Sequence, residues 1–548
     1  MTFSPAHWQS RLDALRAAHH VPGATLAVFA DGRIHELASG LLHRGTGVEA
    51  TTDSVFQLGS IAKIYTATLV MQLVDAGRLD LDTPVCEILP EFSPAGAPGS
   101  DKAITVRRLL SHTSGLTCDF TYDSGRGDDC LAEYVRAARN VALDCPPGTA
   151  VSYSSVGYNV LGRIVEVVTG RTWDQALKER IVAPLGLTHT MTLPEEALAF
   201  RTAMGHLPGD GPEPEPAPVW DMMPRSAGPY GRVLASAADV LRLAKMHLDG
   251  GATADGTQVL GARAVAAMQR WEVDVPDRWT VSADGWGLGW SLYDWNGVPG
   301  YGHDGASVGQ YGYLRVVPGA DVIVVLLTNG GGARRLYADL LRELLADLAE
   351  VRTPPSFAPP AHPPTVDMTP LLGTYRREGV VITVTSGSGG SPHLRYEFVD
   401  GMRDFSPPLE LDLTPLSATV FAATGAGPSF SEDWMPVVFA ALVDGTPCCY
   451  IGMRCAPPHI PPLTAPRWRL RRVEVKRISA GPGERGDKES TLAGAAVRRR
   501  IDPRIGGLCT KAHQSSSKVG DRAFRRSPLR ALAGIGTRRH RPASNRPH

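Results

Sequence analysis

The order in which helical and alternating hydrophobic patterns follow one another limits the folds open to this chain. Two strands come first, Gly23–Ala30 and Ile34–Leu42, joined by a tight Asp-Gly turn. A mainly helical stretch follows over roughly 80–215, and alternation returns only from residue 286. Three strands are then predicted, at Trp286–Trp295, Gly309–Val317 and Val322–Thr328, before a closing helix over Arg334–Val351. This order predicts an α+β fold: an antiparallel sheet flanked by helices, with an inserted helical lobe.

Composition shifts after this part predict four segments. The first domain covers 1–352, and a linker over 353–368 contains the Pro-rich run Pro354–Pro364. Short alternating runs separated by turns predict a small all-β domain, a barrel or a sandwich, over 369–475. The remainder, 476–548, is rich in Arg, Ser and Gly and is predicted to be a disordered basic tail.

Charge is distributed unevenly along the chain. The whole sequence has 56 Lys+Arg and 56 Asp+Glu, but the tail from Lys476 onward has 18 and 5, so it carries about +13 and the rest about −13. A solvated tail is the favoured interpretation, and a nucleic-acid partner is not expected. A small-molecule or peptide substrate is expected instead, and the sequence leaves the oligomeric state open.

The sequence favours a cytoplasmic protein with reduced thiols. Residues 1–8 lack the basic and apolar regions of a secretory signal, and no apolar run is long enough to predict a membrane span. Three of the eight cysteines, Cys118, Cys130 and Cys145, lie close enough in sequence to bridge in an exported protein. The set Cys448, Cys449 and Cys455 lacks zinc-ligand spacing and is interpreted as core or surface thiols.

A hydroxyl and an amine stand one helical turn apart near the start of the helical part. Ser60 is predicted in the first turn of a buried helix that ends at Gly77, and Lys63 follows three residues later on the same face. Most basic residues here are Arg, which does not deprotonate in proteins, whereas a desolvated Lys does. The tail contains the same spacing at Ser515 and Lys518, so the pattern needs context.

Two further motifs provide that context. Tyr153-Ser154-Ser155 precedes a helical run, and Gly302-His303-Asp304-Gly305-Ala306 lies beside a predicted strand. In this order, the three motifs resemble the serine β-lactamase and penicillin-binding-protein superfamily, in the branch of class C β-lactamases, D-aminopeptidases and related esterases. Supporting similarities occur at Leu109–Leu116, Gly157–Gly162 and Ser236–Val240. The resemblance covers about residues 5–350, and the β-domain is more weakly similar to the lipocalin-like appendage of some members.

The resemblance implies roles for the site residues. Ser60 would form an acyl-enzyme, and Lys63 and Tyr153 would share the proton transfers, with either of them possible as the base. His303 would complete the catalytic group. The backbone N–H groups of Ser60 and Ala306 would bind the oxyanion. Two further residues, Ser155 and Gly305, would contact the substrate; no cofactor and no metal are implied.

Two departures from the family pattern narrow the expected substrate. His303-Asp304 replaces the usual Lys-Thr, so a mostly neutral imidazole and a negative charge are expected to hold a substrate carboxylate poorly. Ser155 replaces an Asn and has fewer donors for a substrate amide. The sequence therefore predicts a serine hydrolase of a small ester or amide, or of a D-residue peptide. The alternatives are a β-lactamase or DD-peptidase, and a catalytically silent binding scaffold.

Overall fold

A computed structural model describes residues 2–459 of the chain, except 95, 97–98, 119, 121, 388–391, 404–405 and 425–433. The predicted basic tail, the end of the predicted β-domain and the Ser515–Lys518 pattern all lie outside the described residues. Across the described ranges, no helix combines the length and apolar character needed to cross a membrane.

Most helices lie between the end of the second strand and residue 282. One helix precedes the first strand, and another follows the last strand of the first large sheet. Their bounds are α1 Pro5–Ala18, α2 Ala62–Asp75, α3 Val85–Ile88, α4 Ser100–Ala103, α5 Val106–Leu110, α6 Cys130–Ala137, α7 Ser155–Thr169, α8 Trp173–Leu177, α9 Gly228–Gly231, α10 Ala237–Leu248, α11 Ala262–Gln269, α12 Arg278–Val281 and α13 Ala333–Ala349.

Within the described residues, the strands form two large antiparallel sheets and two small ones. Their bounds are β1 Gly23–Ala30, β2 Arg33–His43, β3 Val48–Glu49, β4 Phe56–Gln57, β5 Thr190–Met191, β6 His206–Leu207, β7 Glu215–Pro216, β8 Leu234–Ala235, β9 Val273–Asp274, β10 Gly285–Trp286, β11 Ser291–Trp295, β12 Val298–Ser307, β13 Gln310–Val317, β14 Val322–Thr328, β15 Gly373–Arg377, β16 Val380–Ser386, β17 Pro392–Phe398, β18 Leu409–Pro415, β19 Val420–Thr424, β20 Trp434–Ala441, β21 Pro447–Ile451 and β22 Arg454–Ala456. The first large sheet has the order β3-β2-β1-β14-β13-β12-β11-β10-β9.

The first sheet is covered by helices on both faces, which explains why its central strands are apolar at nearly every position. Leu26 and Val324 point to the face covered by α1 and α13. Ala27 and Val325, their neighbours in the chain, point to the opposite core with α2 and α10. All eight residues of β1 and all seven of β14 are consequently buried. The sheet thus gives the helical lobe a rigid face on which to hold a site.

The second large sheet, β15 to β22, is a meander that closes on itself. After β22 the chain returns to β15, where Arg376 N donates to Pro457 O at 2.9 Å and His459 N to Thr374 O at 2.7 Å. Large side chains such as Phe421 and Phe439 fill its interior. Closure removes the sheet edges, so this domain is a packed barrel rather than a sandwich.

The predicted fold class, an α+β sheet with an inserted helical lobe followed by an all-β domain, is confirmed. Three local predictions change. The motif Gly302–Ala306, expected beside a strand, lies within β12 itself. The run predicted as one strand over Trp286–Trp295 is divided into β10 and β11 by a reversal at Gly289, whose φ of +96° suits glycine. Ser60 lies in a 3₁₀ turn over Gly59–Ile61 that leads into α2, rather than inside the first α-helical turn.

Candidate active site

The turn that contains Ser60 is pressed against β12. Gly59 has φ +53°, and a Cβ there would lie 2.5 Å from Ala306 N. On the strand, a Cβ at Gly305 would lie 1.9 Å from Leu58 O and 3.0 Å from Ser60 N. These two glycines therefore permit the close approach that brings the backbone of Ser60 beside that of Ala306.

Lys63 is fully buried directly below Ser60. Its Nζ donates to Ser60 Oγ at 3.2 Å and to the carbonyl oxygen of Tyr230 at 3.0 Å. Burial lowers the pKa of Lys63 to about 7; Cys118 opposes this shift and the positive charge of Arg454 adds to it. An amine held beside a hydroxyl and titrating near neutrality can exchange a proton with it.

Tyr153 contributes an aromatic wall and a hydroxyl on the other side of Lys63. The Lys63 Nζ lies 4.7 Å from the centre of its ring. Burial raises the pKa of Tyr153 well above its usual value, and the Ser60 hydroxyl offsets only part of this rise. Its own hydroxyl makes no hydrogen bond of ordinary geometry to the described residues. Tyr153 is therefore a neutral phenol at physiological pH, and its hydroxyl lies near that of Ser60.

His303 faces the same space from β12. Its Nδ1 donates to Asp304 O at 2.6 Å, which leaves Nε2 as a buried acceptor without a partner among the described residues. Burial, and then the charge of Lys63, lowers the pKa of His303 to about 4. The imidazole is therefore neutral at pH 7, and its ring centre lies 6.3 Å from that of Tyr153.

The Asp304 carboxylate points away from His303. The sequence-based expectation of a negative charge beside His303 is therefore wrong. Successive residues of a strand point to opposite faces, so Asp304 lies on the side of β12 away from the His303 ring. There its Oδ1 accepts from Arg315 Nη1 at 2.5 Å, and the buried guanidinium also lies over the ring of Tyr293. Asp304 is thus neutralised by Arg315 and gives little negative charge to the Ser60 side.

Ser155 begins α7 at the rim of the site. The preceding Ser154 caps this helix by accepting from Gly157 N at 3.1 Å, and this fixes where the helix starts. The Ser155 Oγ lies 3.7 Å from Cys118 Sγ. The structure thus brings together Ser60, Lys63, Tyr153, His303, Gly305 and Ala306, and connects Ser155 to them through Cys118.

Sequence reasoning missed a contribution from the barrel. The hairpin between β21 and β22 reaches the site, where Tyr153 N donates to Met453 O at 3.0 Å and Arg454 Nη2 contacts Cys118 Sγ at 3.1 Å. Met453 has φ +72°, as a tight hairpin requires. Hydrophobic periodicity gives no signal for contacts between residues 300 positions apart, so only the folded chain reveals this wall.

The described ranges contain no group of three or more His, Cys, Asp or Glu side chains placed to hold a metal ion. His112, beside Tyr153, instead holds a turn: it has φ +57° and its Nδ1 accepts from Ser154 N at 3.1 Å. Burial lowers its pKa well below the usual value, so it too is neutral.

Comparison with known proteins identifies similar chains and structures. Penicillin-binding protein 4 of Amycolatopsis lactamdurans is 64% identical over 379 residues, which are 69% of this chain and 99% of that protein. Esterase EstB of Burkholderia gladioli is 34% identical over 196 residues, 32% of this chain and 50% of the esterase. Crystal structures of SurE, alone and with D-Leu, match with a TM-score of 0.66 and 29% identity, covering 83% of this chain and 99% of SurE.

The match to SurE extends beyond the catalytic lobe, because 83% of the chain exceeds the share that precedes the barrel. The family model described as Beta-lactamase matches residues 8–347, the part that holds Ser60, Lys63, Tyr153 and His303. The chain therefore belongs to the Beta-lactamase family, within the superfamily of serine β-lactamases and penicillin-binding proteins.

Proposed function

We propose that the chain is a serine hydrolase that forms an acyl-enzyme at Ser60 and hydrolyses an ester or amide of a small acyl or D-amino-acid-containing substrate. One observation carries this proposal: the Lys63 Nζ lies 3.2 Å from Ser60 Oγ, and burial lowers the pKa of Lys63 to about 7. A substantial fraction of Lys63 is then unprotonated at neutral pH and accepts the Ser60 proton. Membership of the Beta-lactamase family supports the same chemistry.

In this mechanism Lys63 is the base and Tyr153 is the proton relay. Ser60 Oγ bonds to the acyl carbon as its proton passes to Lys63, and the N–H groups of Ser60 and Ala306 stabilise the oxyanion. Because its pKa is raised, Tyr153 stays a phenol; it gives its proton to the leaving group and regains one from Lys63. Water then attacks the acyl-enzyme. The proton transfers run in reverse order: Tyr153 takes the proton of the water as it gives its own to Lys63, and Lys63 returns a proton to Ser60 Oγ.

His303 fits a role as a neutral hydrogen-bond acceptor. Its Nδ1–H is engaged by the Asp304 carbonyl, and its buried Nε2 is open to the Tyr153 hydroxyl or to a substrate N–H. A neutral group at this position adds no positive charge for a substrate carboxylate. A positive charge does reach the site from the barrel side, where Arg454 contacts Cys118.

Similarity to known proteins supports the substrate class. EstB is named an esterase, and one SurE crystal contains D-Leu. An ester substrate and a D-residue substrate are thus each supported by one protein similar to this chain. A second candidate, acylation by β-lactams, is favoured by the 64% identity to penicillin-binding protein 4. Ser155 and the neutral His303 favour the first candidate over efficient β-lactam turnover.

A fluorophosphonate probe tests the proposal directly. The full chain is expected to gain one covalent adduct, mapped to the peptide with Ser60, and Ser60→Ala is expected to gain none. Turnover of p-nitrophenyl acetate, D-alanyl p-nitroanilide and nitrocefin then separates the candidates. Nitrocefin turnover well above that of the ester would favour the second candidate. No adduct on the wild-type chain, or equal labelling of Ser60→Ala, would support a silent scaffold.

The pH dependence of ester hydrolysis is expected to report Lys63. With a pKa of about 7, Lys63 loses its proton as pH rises through neutrality, so kcat/KM should increase along one limb centred near pH 7. His303, with a pKa of about 4, is already neutral across this range. Arg454→Gln removes a charge that lowers the pKa of Lys63, and should move the limb to higher pH.

Two further variants make this shift specific. Arg454→Lys retains the charge and should keep the limb near its original position. Arg376→Gln removes a barrel arginine that pairs with Asp400 and does not contribute to lowering the pKa of Lys63, so it should leave the profile unchanged. A limb that does not move in Arg454→Gln would exclude the barrel from tuning Lys63.

A further inference from the structure

Three thiols from distant parts of the chain meet where the barrel contacts the catalytic lobe. Cys145 lies in the loop before α7, Cys448 on β21 and Cys455 on β22, and all are buried in one cluster with Tyr450. The Cys455 thiol is within hydrogen-bonding reach of both Cys145 and Cys448. The sequence grouped Cys145 with Cys118 and Cys130 instead, because spacing along the chain does not reveal the docked barrel.

Strand register disfavours one of the three possible pairs, and Cys145 is a hydrogen-bond partner of Cys455 rather than of Cys448. Tyr450 is the direct partner of Cys455 across β21 and β22, so Cys448 lies diagonally from Cys455. Diagonal neighbours are about 7–8 Å apart at Cα, beyond the reach of an unstrained disulfide. Cys145 approaches from outside the sheet and is free of this restriction. Cys449 points into the barrel interior and takes no part.

The segment around Cys455 also holds the barrel side of the active site. Cys455 N donates to Ser152 Oγ at 3.2 Å, and Met453 O accepts from Tyr153 N at 3.0 Å. Two residues of the catalytic lobe are therefore tied to the strand that carries Cys455. Any covalent bond between Cys145 and Cys455 would fix the hairpin against Tyr153.

We infer that Cys145 and Cys455 form a reversible disulfide that fastens the barrel, with the hairpin at Met453 and Arg454, onto the catalytic lobe under oxidising conditions. All seven described cysteines are free thiols here, so the structure is the reduced form. Glutathione disulfide is the oxidant: one protein thiolate attacks it and releases glutathione, and the second displaces another glutathione as the S–S bond forms.

Burial sets the rate and the durability of this bond. Cys145 and Cys455 are 3% and 0% exposed, so exchange requires transient separation of barrel and lobe and should be slow. Hydrogen bonding to Cys145 and to Cys448, and then burial, raises the pKa of Cys455, which reduces the reactive thiolate further. Once formed, the bond is shielded from reductant by the same packing. The inference does not depend on the proposed function.

The test is oxidation of the full-length chain across a series of ratios of glutathione disulfide to glutathione, in a Cys509→Ser background. The oxidised protein is expected to lose two titratable thiols and to yield one cross-linked peptide pair containing Cys145 and Cys455. It should also unfold at a Tm higher by roughly 5 °C, because the bond closes a long loop. Dithiothreitol should reverse both changes only after prolonged incubation.

Variants separate this bond from other oxidation products. Cys448→Ser should retain the cross-link, whereas Cys145→Ser and Cys455→Ser should lose it. A bond from Cys448 to either Cys455 or Cys145, glutathione adducts alone, or unchanged thiol numbers in the Cys509→Ser chain would overturn the inference. The mapping itself leaves Cys145, Cys448 and Cys455 unchanged, so it needs no substitution within the thiol cluster. Ester turnover is measured separately, so a chain that bonds but does not hydrolyse would refute the proposed function and leave the disulfide standing.

Discussion

Exchanging Ser60 for Ala is expected to lower kcat/KM for p-nitrophenyl acetate by about 10⁴-fold or more, and Lys63→Met by a similar factor. The first change removes the atom that bonds to the acyl carbon. The second removes the amine that lies 3.2 Å from it and takes its proton. Met approximates the length of the Lys stem and suits the buried site, so folding should be preserved.

The double variant gives the decisive comparison. A nucleophile and its base act in one step, so Ser60→Ala with Lys63→Met should be no slower than Ser60→Ala alone. Lys102→Met, at an exposed position of α4, is the matched control and should keep full activity. Independent, multiplying losses from Ser60→Ala and Lys63→Met would show that Lys63 acts in some step other than activation of Ser60.

Burial in the same site shifts the pKa values of Lys63 and Tyr153 in opposite directions, and this assigns their roles in proton transfer. Desolvation disfavours charge, so it lowers the pKa of the cationic acid Lys63 and raises that of Tyr153. Near pH 7, Tyr153 is thereby uncharged, and Lys63 is divided between its ammonium form and its free amine. The sequence left the choice of base open because it contains the two residue types but not their burial.

Much of the fold followed from the sequence because its patterns are local. β1 and β14 match their predicted bounds at Gly23–Ala30 and Val322–Thr328, where continuous apolar runs end at turn residues. The order of strands and helices likewise required only the change of period along the chain. The sequence did not predict that Trp286–Trp295 is divided into two strands, because its apolar side chains hide the turn at Gly289.

The site was predicted less completely, for two different reasons. The orientation of Asp304 could in principle have been predicted, since alternation along β12 places it on the other face of the strand from His303, where Arg315 also lies. The contribution of the hairpin at Met453 and Arg454 could not have been predicted, because contacts between domains depend on how two folded surfaces dock. Residues that reach a site from a separate domain leave no periodic signal near its motifs.

Gly305→Ala is expected to damage both folding and catalysis, because β12 touches the Ser60 turn backbone to backbone. The added Cβ would lie 1.9 Å from Leu58 O, a contact that only movement of the strand or the turn can relieve. Such overpacking should lower the free energy of unfolding by about 1–3 kcal/mol. The same movement shifts Ala306 N from the oxyanion, so kcat should fall by about 10²- to 10³-fold.

Urea unfolding and ester kinetics on the same preparation measure both effects, and Gly319→Ala is the matched control. A Cβ at Gly319 has no neighbour within 4 Å, so this variant should match wild type in stability and in kcat. The loss in Gly305→Ala should fall on kcat rather than KM, because the oxyanion forms only in the transition state. A stable Gly305→Ala with normal kcat would mean that the added Cβ is accommodated without displacing the strand or the Ser60 turn. A loss confined to stability would mean that Ala306 N takes no part in binding the oxyanion, since the strand would then move without affecting the chemistry.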